Sequence, residues 1–295
     1  MSEFLTTREL AALLRVKERK VYDLVASHTL PVRRVTGKLL FPRKEIEAWL
    51  GAGTRGSAAE EAGEAVEASR PLVVAGGHDP LLEWALRESR SGIAAFLDGT
   101  LDGLARAAAG TCIAAGLHMP DGDGWNISQV EHQFGHEPWV LLEWTRRSRG
   151  LICRADLRRP PSRLKEARGL RFQLRQPEAG SELVLDRLLQ REGLSRADLL
   201  PVDTVERSET DLAMAIATGR ADVGLGIEAA ARQFNLDFVP LQEERFDLLV
   251  WRQAYFEPSF QKFVTFCRAP ALAARAEALG GYDVSGFGSV HFNGH

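Results

Sequence analysis

The chain has 295 residues, 37 Lys/Arg, 40 Asp/Glu and a formal net charge of −3. That length exceeds one ordinary domain and fits two or three, and 45% apolar with 26% charged residues is the balance of a globular protein rather than a disordered one. No window approaches the roughly 18 uninterrupted apolar residues of a membrane span, and Cys112, Cys153 and Cys267 form no CxxC pair, which argues against a zinc knuckle or disulfide framework.

The opening MSEFLTTREL lacks the basic and apolar regions of an export signal, so the chain is expected to remain in the cytoplasm. Charge is unevenly distributed. Residues 1–50 hold ten Lys/Arg against six Asp/Glu, whereas the rest holds 27 against 34. Only the first segment suits a polyanion.

Thr6 and Glu9 have capping-box spacing, and Leu10, Leu13 and Leu14 form one helical stripe behind them. After a short break, residues 17–25 repeat the helical period with Val21, Leu24 and Val25 on one face. Two short helices so closely joined read as a helix-turn-helix. Residues 30–35 and 38–41 flank Thr36-Gly37 and read as a hairpin, the wing, which Pro42 ends. Residues 43–50 read as a closing helix with apolar Ile46, Trp49 and Leu50.

This order resembles the excisionase-type winged helix related to the MerR-like group, across residues 4–50. The resemblance implies binding to double-stranded DNA, with the second helix in the major groove and the wing on the backbone. Lys17, Arg19 and Lys20 near the second helix, and Arg33, Arg34 and Lys38 on the wing, are the candidate contacts. One such module covers little DNA, so a homodimer on a two-fold site is expected.

Residues 51–70 are Gly-, Ala- and Glu-rich with no large apolar residue except Val66, and read as a linker. Beyond it, strands are expected at 71–75, 111–116, 138–143 and 150–154, and helices at 81–90 and from Gly99 onward. Strand, small-residue turn and helix repeat in the manner of an α/β fold, and such turns aim free helix amides at a common cleft.

The stretches AGGHDPLLEWAL, DGTLDGLARAAAG, AAGLHMPD followed by GWN, and TDLAMAIATGRADVGLGIEAAARQFNLDFVPLQEERFDLLV resemble the periplasmic-binding-protein-like domain of molybdate- and tungstate-type receptors. The resemblance implies a multidomain chain: a small winged helix-turn-helix plus a two-lobed α/β domain of type II periplasmic-binding-protein architecture. Residues 1–50 are then the DNA-binding domain, 51–70 the linker and 71–295 the ligand-sensing domain. Its first lobe spans about 71–148 and 238–295, and its second about 149–237. Gly77, His78, Thr100, Ser181, Glu182 and Thr210 match the family's ligand turns. Molybdate or tungstate is the effector so implied, with no other cofactor and no metal.

The departures bear on that effector. Gly77 replaces a family serine, Asp102 a glycine, Ala179 a serine and Glu182 an arginine, while Ser181 stands for a threonine, beside the further carboxylate Glu178. A carboxylate ~5 Å from a divalent oxyanion repels it by a few kcal/mol at intermediate dielectric. Were those side chains to face the cleft, a neutral or cationic organic ligand would fit better. Other residues compete for attention. His132 and His136 have i,i+4 spacing but read as surface or polar-network groups, and His78 and His118 read as turn-orienting. Trp84, Trp125, Trp139, Trp144 and Trp251 read as packing, and Arg146, Arg147, Arg149 and Arg154 as solvated strand-edge positions. No nucleophile elbow, P-loop, zinc signature or GxGxxG occurs in suitable context, so no enzyme activity is expected. The reading is a one-component transcriptional regulator, with a non-sensing excisionase-like architectural factor as the alternative.

Overall fold

The computed structural model describes residues 4–14, 17, 18, 21, 25, 31–35, 38–46 and 70–295. The chain falls into two compact units, Met1–Glu67 and Ala68–His295.

In the first unit β1 (Phe4–Thr6), β2 (Arg33–Val35) and β3 (Lys38–Pro42) form an antiparallel sheet in the order β1-β3-β2. Val35 pairs with Lys38, the register of a two-residue turn; Thr36 and Gly37 themselves lie outside the described residues. The capping box is present at the start of the helix Thr7–Leu14. The Thr6 N–H donates to Glu9 Oε2 at 2.8 Å and the Glu9 N–H to Thr6 Oγ1 at 3.3 Å. The buried face is not the expected leucine stripe: Leu10 and Ala11 are buried, while Leu13 is 45% exposed. Leu5 from the unanticipated strand β1 joins Leu10, Ala11, Val21, Val25, Phe41 and Ile46 in the core. Residues 43–46 are helical. Leu24, Trp49, Leu50 and the linker at 51–69 lie outside the described residues.

The second unit is a two-lobed α/β body. In its first lobe β4 (Val73–Gly76) lies parallel to both β5 (Ala94–Phe96) and β6 (Ala114–Leu117). β7 (Pro120–Asp121) and β8 (Gly124–Trp125) make a small hairpin. β9 (Trp139–Cys153) then runs for 15 residues. In the second lobe β10 (Arg171–Arg175) is parallel to β11 (Leu200–Glu206) and to β12 (Val223–Ile227). β13 (Asp237–Trp251) is again 15 residues long and returns antiparallel along β9, from Asp237 opposite Cys153 to Trp251 opposite Trp139. The sheet order is β11-β10-β12-β9-β13-β6-β4-β5, with β14 (Tyr282–Asp283) and β15 (Val290–Asn293) added to β9.

β9 and β13 therefore belong to both lobes. β6 pairs with residues 247–250 of β13, and β12 with residues 149–153 of β9. The two strands expected at 138–143 and 150–154 are the ends of one strand; the arginine-rich stretch between them is its middle. Register shifts in β13 between Pro240 and Gln242, and between Phe246 and Asp247, bend it at either side of the lobe junction.

Helices cover both faces of each half. Leu81, Leu82, Trp144, Phe246, Phe260 and Phe263 form one core of the first lobe, and Leu104, Phe134, Trp139 and Leu249 another. Phe172, Leu185, Val223 and Leu151 fill one side of the second lobe, and Ile152, Leu212 and Ile216 the other. Each such side chain contributes about 1.5–3 kcal/mol by burial. Among the described residues no helix is long and apolar enough to cross a membrane. Cys112, Cys153 and Cys267 are free and buried, and burial pushes their thiols up, to about 11 and about 12 for the first two.

Candidate ligand site between the lobes

Four helices begin at the lobe junction. Pro at the first position and the Asp79 cap start the helix Pro80–Glu88, where Asp79 Oδ1 accepts from the Leu82 N–H at 2.7 Å. The helix Thr100–Ala108 follows Gly99, Gly180–Arg191 follows Ala179, and Glu209–Ala217 is capped by Ser208 through the Asp211 N–H at 2.9 Å. The positive ends of these helix dipoles thus face the lobe junction.

The Thr100 and Gly180 helix starts, from different lobes, meet directly. A Cβ built on Gly180 would lie 2.8 Å from Thr100 Oγ1 and 2.8 Å from His118 Nε2. A Cβ on Gly77 would lie 3.0 Å from Thr100 Oγ1 and 3.1 Å from the His118 ring. A side chain at position 180 would force a shift and one at position 77 would be tight, so the two glycines let these four residues approach one another. Thr100 is 0% and Ser181 1% exposed, and neither hydroxyl has a hydrogen-bond partner in the protein. Buried hydroxyls without partners are costly, ~1–3 kcal/mol each, and are what a polar ligand satisfies.

Further contacts close the lobes on one another. His78 Nδ1 accepts from the Glu209 N–H at 3.2 Å, and the Leu101 N–H donates to the Glu178 carbonyl at 3.0 Å. The Arg207 guanidinium and the Gln176 amide both reach Asp98.

Behind the hydroxyls lies a buried charge network spanning both lobes. Arg147 Nη1 donates to Asp79 Oδ2 at 2.8 Å, and its Nε to Glu244. Arg149 grips Glu244 through Nε and Nη2, each at 2.8 Å, and Nη2 also donates to Glu209 Oε1 at 2.9 Å. Arg175 Nη1 lies 3.1 Å from the same oxygen. Asp79 is saturated, accepting also from Trp144 Nε1 at 3.0 Å and the Tyr282 hydroxyl at 2.8 Å. Three guanidinium groups thus face three carboxylates out of water. Burial opposes ionisation of Glu209, but Arg149, Arg175 and Arg147 outweigh it and hold the carboxyl at about 2. Burial likewise opposes the charge on Glu244, and Arg147 and Arg149 hold it well below the usual range. Burial lowers His118 to about 4 despite the opposing pull of Glu244, whose Oε2 is 3.4 Å from His118 Nδ1. The His118 ring stacks on Phe246 with centroids 5.5 Å apart, and the Arg147 guanidinium lies 4.5 Å from the centre of the Phe246 ring.

Of the six residues matched from sequence, Gly77 and Thr100 meet at the junction, Ser181 is buried in the first turn of the helix that begins at Gly180, and His78 ties the lobes together. Glu182 is buried but turned into its own lobe: Oε1 accepts from the Arg175 N–H at 2.9 Å and Oε2 from Arg196 at 2.6 Å. Thr210 is half-buried, and its neighbour Glu209 is the residue that reaches the junction. Asp102 pairs with Arg106 at 2.7 Å, and Glu178 is exposed. Glu182 and Asp102 are therefore each paired with an arginine.

Arg147 and Arg149 were expected at solvated edges and are instead fully buried. The signal was present: residues two apart on a strand share a face, and Glu244 stands directly opposite Arg147 in the β13 register. Arg146 is the solvated one of the three. His132 and His136 are exposed, and His136 lies beyond the end of the helix Ile127–Phe134, so they share no helical face. Trp144 and Trp139 are core residues.

In the first unit, Lys17 is exposed, and Arg33 is exposed while pairing with Glu45 at 3.1 Å. Arg34 lies on β2 and Lys38 on β3. Arg19 and Lys20 lie outside the described residues.

Comparison with known proteins agrees with this architecture. A family model described as a helix-turn-helix domain matches residues 4–54. The chain is 26% identical to the uncharacterized protein YvgK of Bacillus subtilis over 263 residues, covering 84% of this chain and 85% of that one. It is 33% identical over 84 residues to an uncharacterized protein of Clostridium pasteurianum encoded in the 5′ region of a ferredoxin 2Fe-2S gene, 28% of this chain and 74% of that one. Among solved structures, the Synechocystis CcmR regulatory domain in complex with 2-PG aligns with 13% identity and a TM-score of 0.49, covering 70% of this chain and 96% of that one. The model described as the PBP superfamily domain matches residues 83–268, more than half of the chain. The chain therefore belongs to the PBP superfamily, with a helix-turn-helix domain at its N-terminal end.

Proposed function

We propose that this protein is a cytoplasmic one-component transcriptional regulator, in which the PBP-like body senses a small tetrahedral oxyanion and the helix-turn-helix domain binds double-stranded DNA. Residues 1–50 serve as an excisionase-type DNA-binding head, 51–70 as the connection and 71–295 as the sensor. The observation that carries the reading is the pair of buried, unpartnered hydroxyls of Thr100 and Ser181 at helix starts from opposite lobes. Hydroxyls and helix amides hold oxyanions without a full counter-charge, and the Glu182 and Asp102 carboxylates are paired with arginines. Ligand bound there bridges the lobes and favours their closure about β9 and β13. Lys17, Arg19, Lys20, Arg33, Arg34 and Lys38 make the DNA contacts, in a homodimer reading a two-fold site. Catalysis has no part in this reading.

Calorimetric titration with molybdate, tungstate, sulfate and phosphate, followed by selection of preferred duplexes from a random pool, tests it. Saturable binding of at least one oxyanion, lost in Thr100→Val, together with an enriched duplex sequence, is expected. Silence toward all four anions would overturn the sensor assignment, and a pool with no enriched sequence would overturn the regulator assignment.

A further inference from the structure

The turns that lead into helices on the two lobes are tied to one another around Asp98. Asp98 belongs to the first lobe and stands just before the helix Thr100–Ala108. From the second lobe, Arg207 Nε donates to Asp98 Oδ1 at 2.8 Å and its Nη2 to Oδ2. The Gln176 amide donates to the Asp98 carbonyl, and the Leu101 N–H donates to the Glu178 carbonyl at 3.0 Å. Gly99 permits this approach: its φ is +149°, and a Cβ there would lie 2.8 Å from the Glu178 carbonyl oxygen. Each half of the contact is mounted on its own lobe. The Gly99 N–H donates to the Gly76 carbonyl at 3.0 Å. The Arg207 carbonyl accepts from Arg175 Nη2 at 2.7 Å and from Gln176 Nε2 at 3.3 Å. Gln176 is buried, whereas the Arg207 side chain is 68% exposed, so the contact runs from the interior to the rim.

We infer that Asp98, Arg207 and Gln176 form a latch that holds the lobes shut through the chain's own contacts, so that closure is the resting form of the body and does not depend on a ligand. The Arg207 fork and the Gln176 amide are the donors that the second lobe turns toward the first, and Asp98 itself meets them. Each hydrogen bond across the lobes shifts the ratio of closed to open forms by about two- to ten-fold. The latch adds to the His78–Glu209 contact, and the bonds act together because both sets of turns are fixed to rigid lobes. Anything that enters between the lobes does so only when the latch parts, and its apparent affinity is reduced by the fraction of the body that is closed to it. The latch therefore sets how readily the body responds, whatever it responds to.

The test is a distance measurement between spin labels on the full chain, in oxyanion-free buffer with no ligand added. Labels go on Thr265→Cys in the first lobe and Arg191→Cys in the second, both exposed, while the native cysteines are buried. The chain with its latch intact is expected to show one dominant short-distance population. Asp98→Ala removes the exposed ion pair and is expected to raise the open share about two- to five-fold. Asp98→Ala with Gln176→Ala is expected to raise it about ten-fold or more. Asp102→Asn is the control: Asp102 is as exposed as Asp98, on the helix that follows it, but pairs with Arg106 of its own lobe, and the distances are expected to stay unchanged. A mostly open population with the latch intact would overturn the inference. So would an unchanged distribution in the double variant, its fold checked by its near-ultraviolet spectrum, or an Asp102→Asn variant that opens as far as Asp98→Ala. Each of these results leaves the oxyanion reading in place, because no ligand enters the measurement.

Discussion

The imidazole of His78 and the backbone of Glu209 form a direct link between the lobes, with Nδ1 accepting from the Glu209 N–H at 3.2 Å. His78 follows Gly77 in the turn after β4, and Glu209 opens a helix of the second lobe. The same two residues are anchored on their own sides: His78 Nε2 lies 3.4 Å from Glu83, and Glu209 is locked by Arg149 and Arg175. The link is therefore a rigid strut between two fixed bodies rather than a loose contact.

Removing it should open the cleft. His78→Ala loses one interlobe hydrogen bond, a net of about 0.5–1.5 kcal/mol, and should weaken ligand binding about two- to ten-fold. Distance distributions between fluorophores on the two lobes should broaden toward longer separations. An unchanged distribution in a folded variant would show that the strut does not set the closed state.

Breaking the network behind the strut should have a larger effect. Glu244→Ala leaves Arg147 and Arg149 buried with their main counter-charge gone, and should cost about 3–5 kcal/mol of stability. Thermal melts of the body should show this as a drop in Tm of several degrees. Glu243→Ala, one residue away on the exposed face, should shift Tm by much less. Equal effects from the two substitutions would contradict the buried-network description.

His118 should make the body acid-sensitive. Its folded value, about 4, lies below the 6.5 of a free imidazole, because burial outweighs Glu244. Above pH 6.5 both folded and unfolded chains hold it neutral and it contributes no pH dependence. As pH falls from 6.5 toward about 4 the unfolded chain takes up a proton that the folded chain refuses, so stability falls across that window, by about 3 kcal/mol at most. Urea unfolding midpoints measured through this range should decline in the wild-type chain. They should decline less steeply in His118→Phe; an identical slope would remove His118 as the source.

The charge pattern of the first fifty residues predicts a salt-dependent DNA contact. Lys17→Ala and Arg33→Ala should each weaken binding and reduce the slope of log affinity against log salt by about one. Arg33 already pairs with Glu45 at the surface, and exchanging that partner for a phosphate has little cost because exposed pairs are weak. Salt titrations of fluorescence anisotropy on a labelled duplex measure both slopes. Slopes unchanged in both variants would place the contacts elsewhere.

Local signals in the sequence were the most readable. Thr6 and Glu9 form the capping box their spacing implies, and the short apolar run after Pro71 becomes β4. The apolar residues Leu81 and Leu82 after Pro80 likewise fall in the helix expected at 81–90. What failed was anything set by distant pairing. Arg147 and Arg149 read as solvated strand-edge positions until Glu244, nearly a hundred positions later, stands opposite Arg147. Leu13 looks like a core residue but is exposed, while Leu5, on a strand that only pairing with β3 defines, is in the core. Glu182 looks like an intruder in the ligand cradle until the backbone of Arg175 and the side chain of Arg196 claim its two oxygens. In each case the residue type was visible and its partner was not, because long-range register is not encoded in neighbouring residues.

Coupling between the cleft and DNA is the central claim, and one titration addresses it directly. The affinity of the full chain for its selected duplex is to be measured with and without a saturating oxyanion, alongside a Thr100→Val, Ser181→Ala variant. The account predicts a change in DNA affinity of about five-fold or more on adding ligand, absent from the double variant. Identical DNA affinity with the cleft shown to be occupied would contradict it.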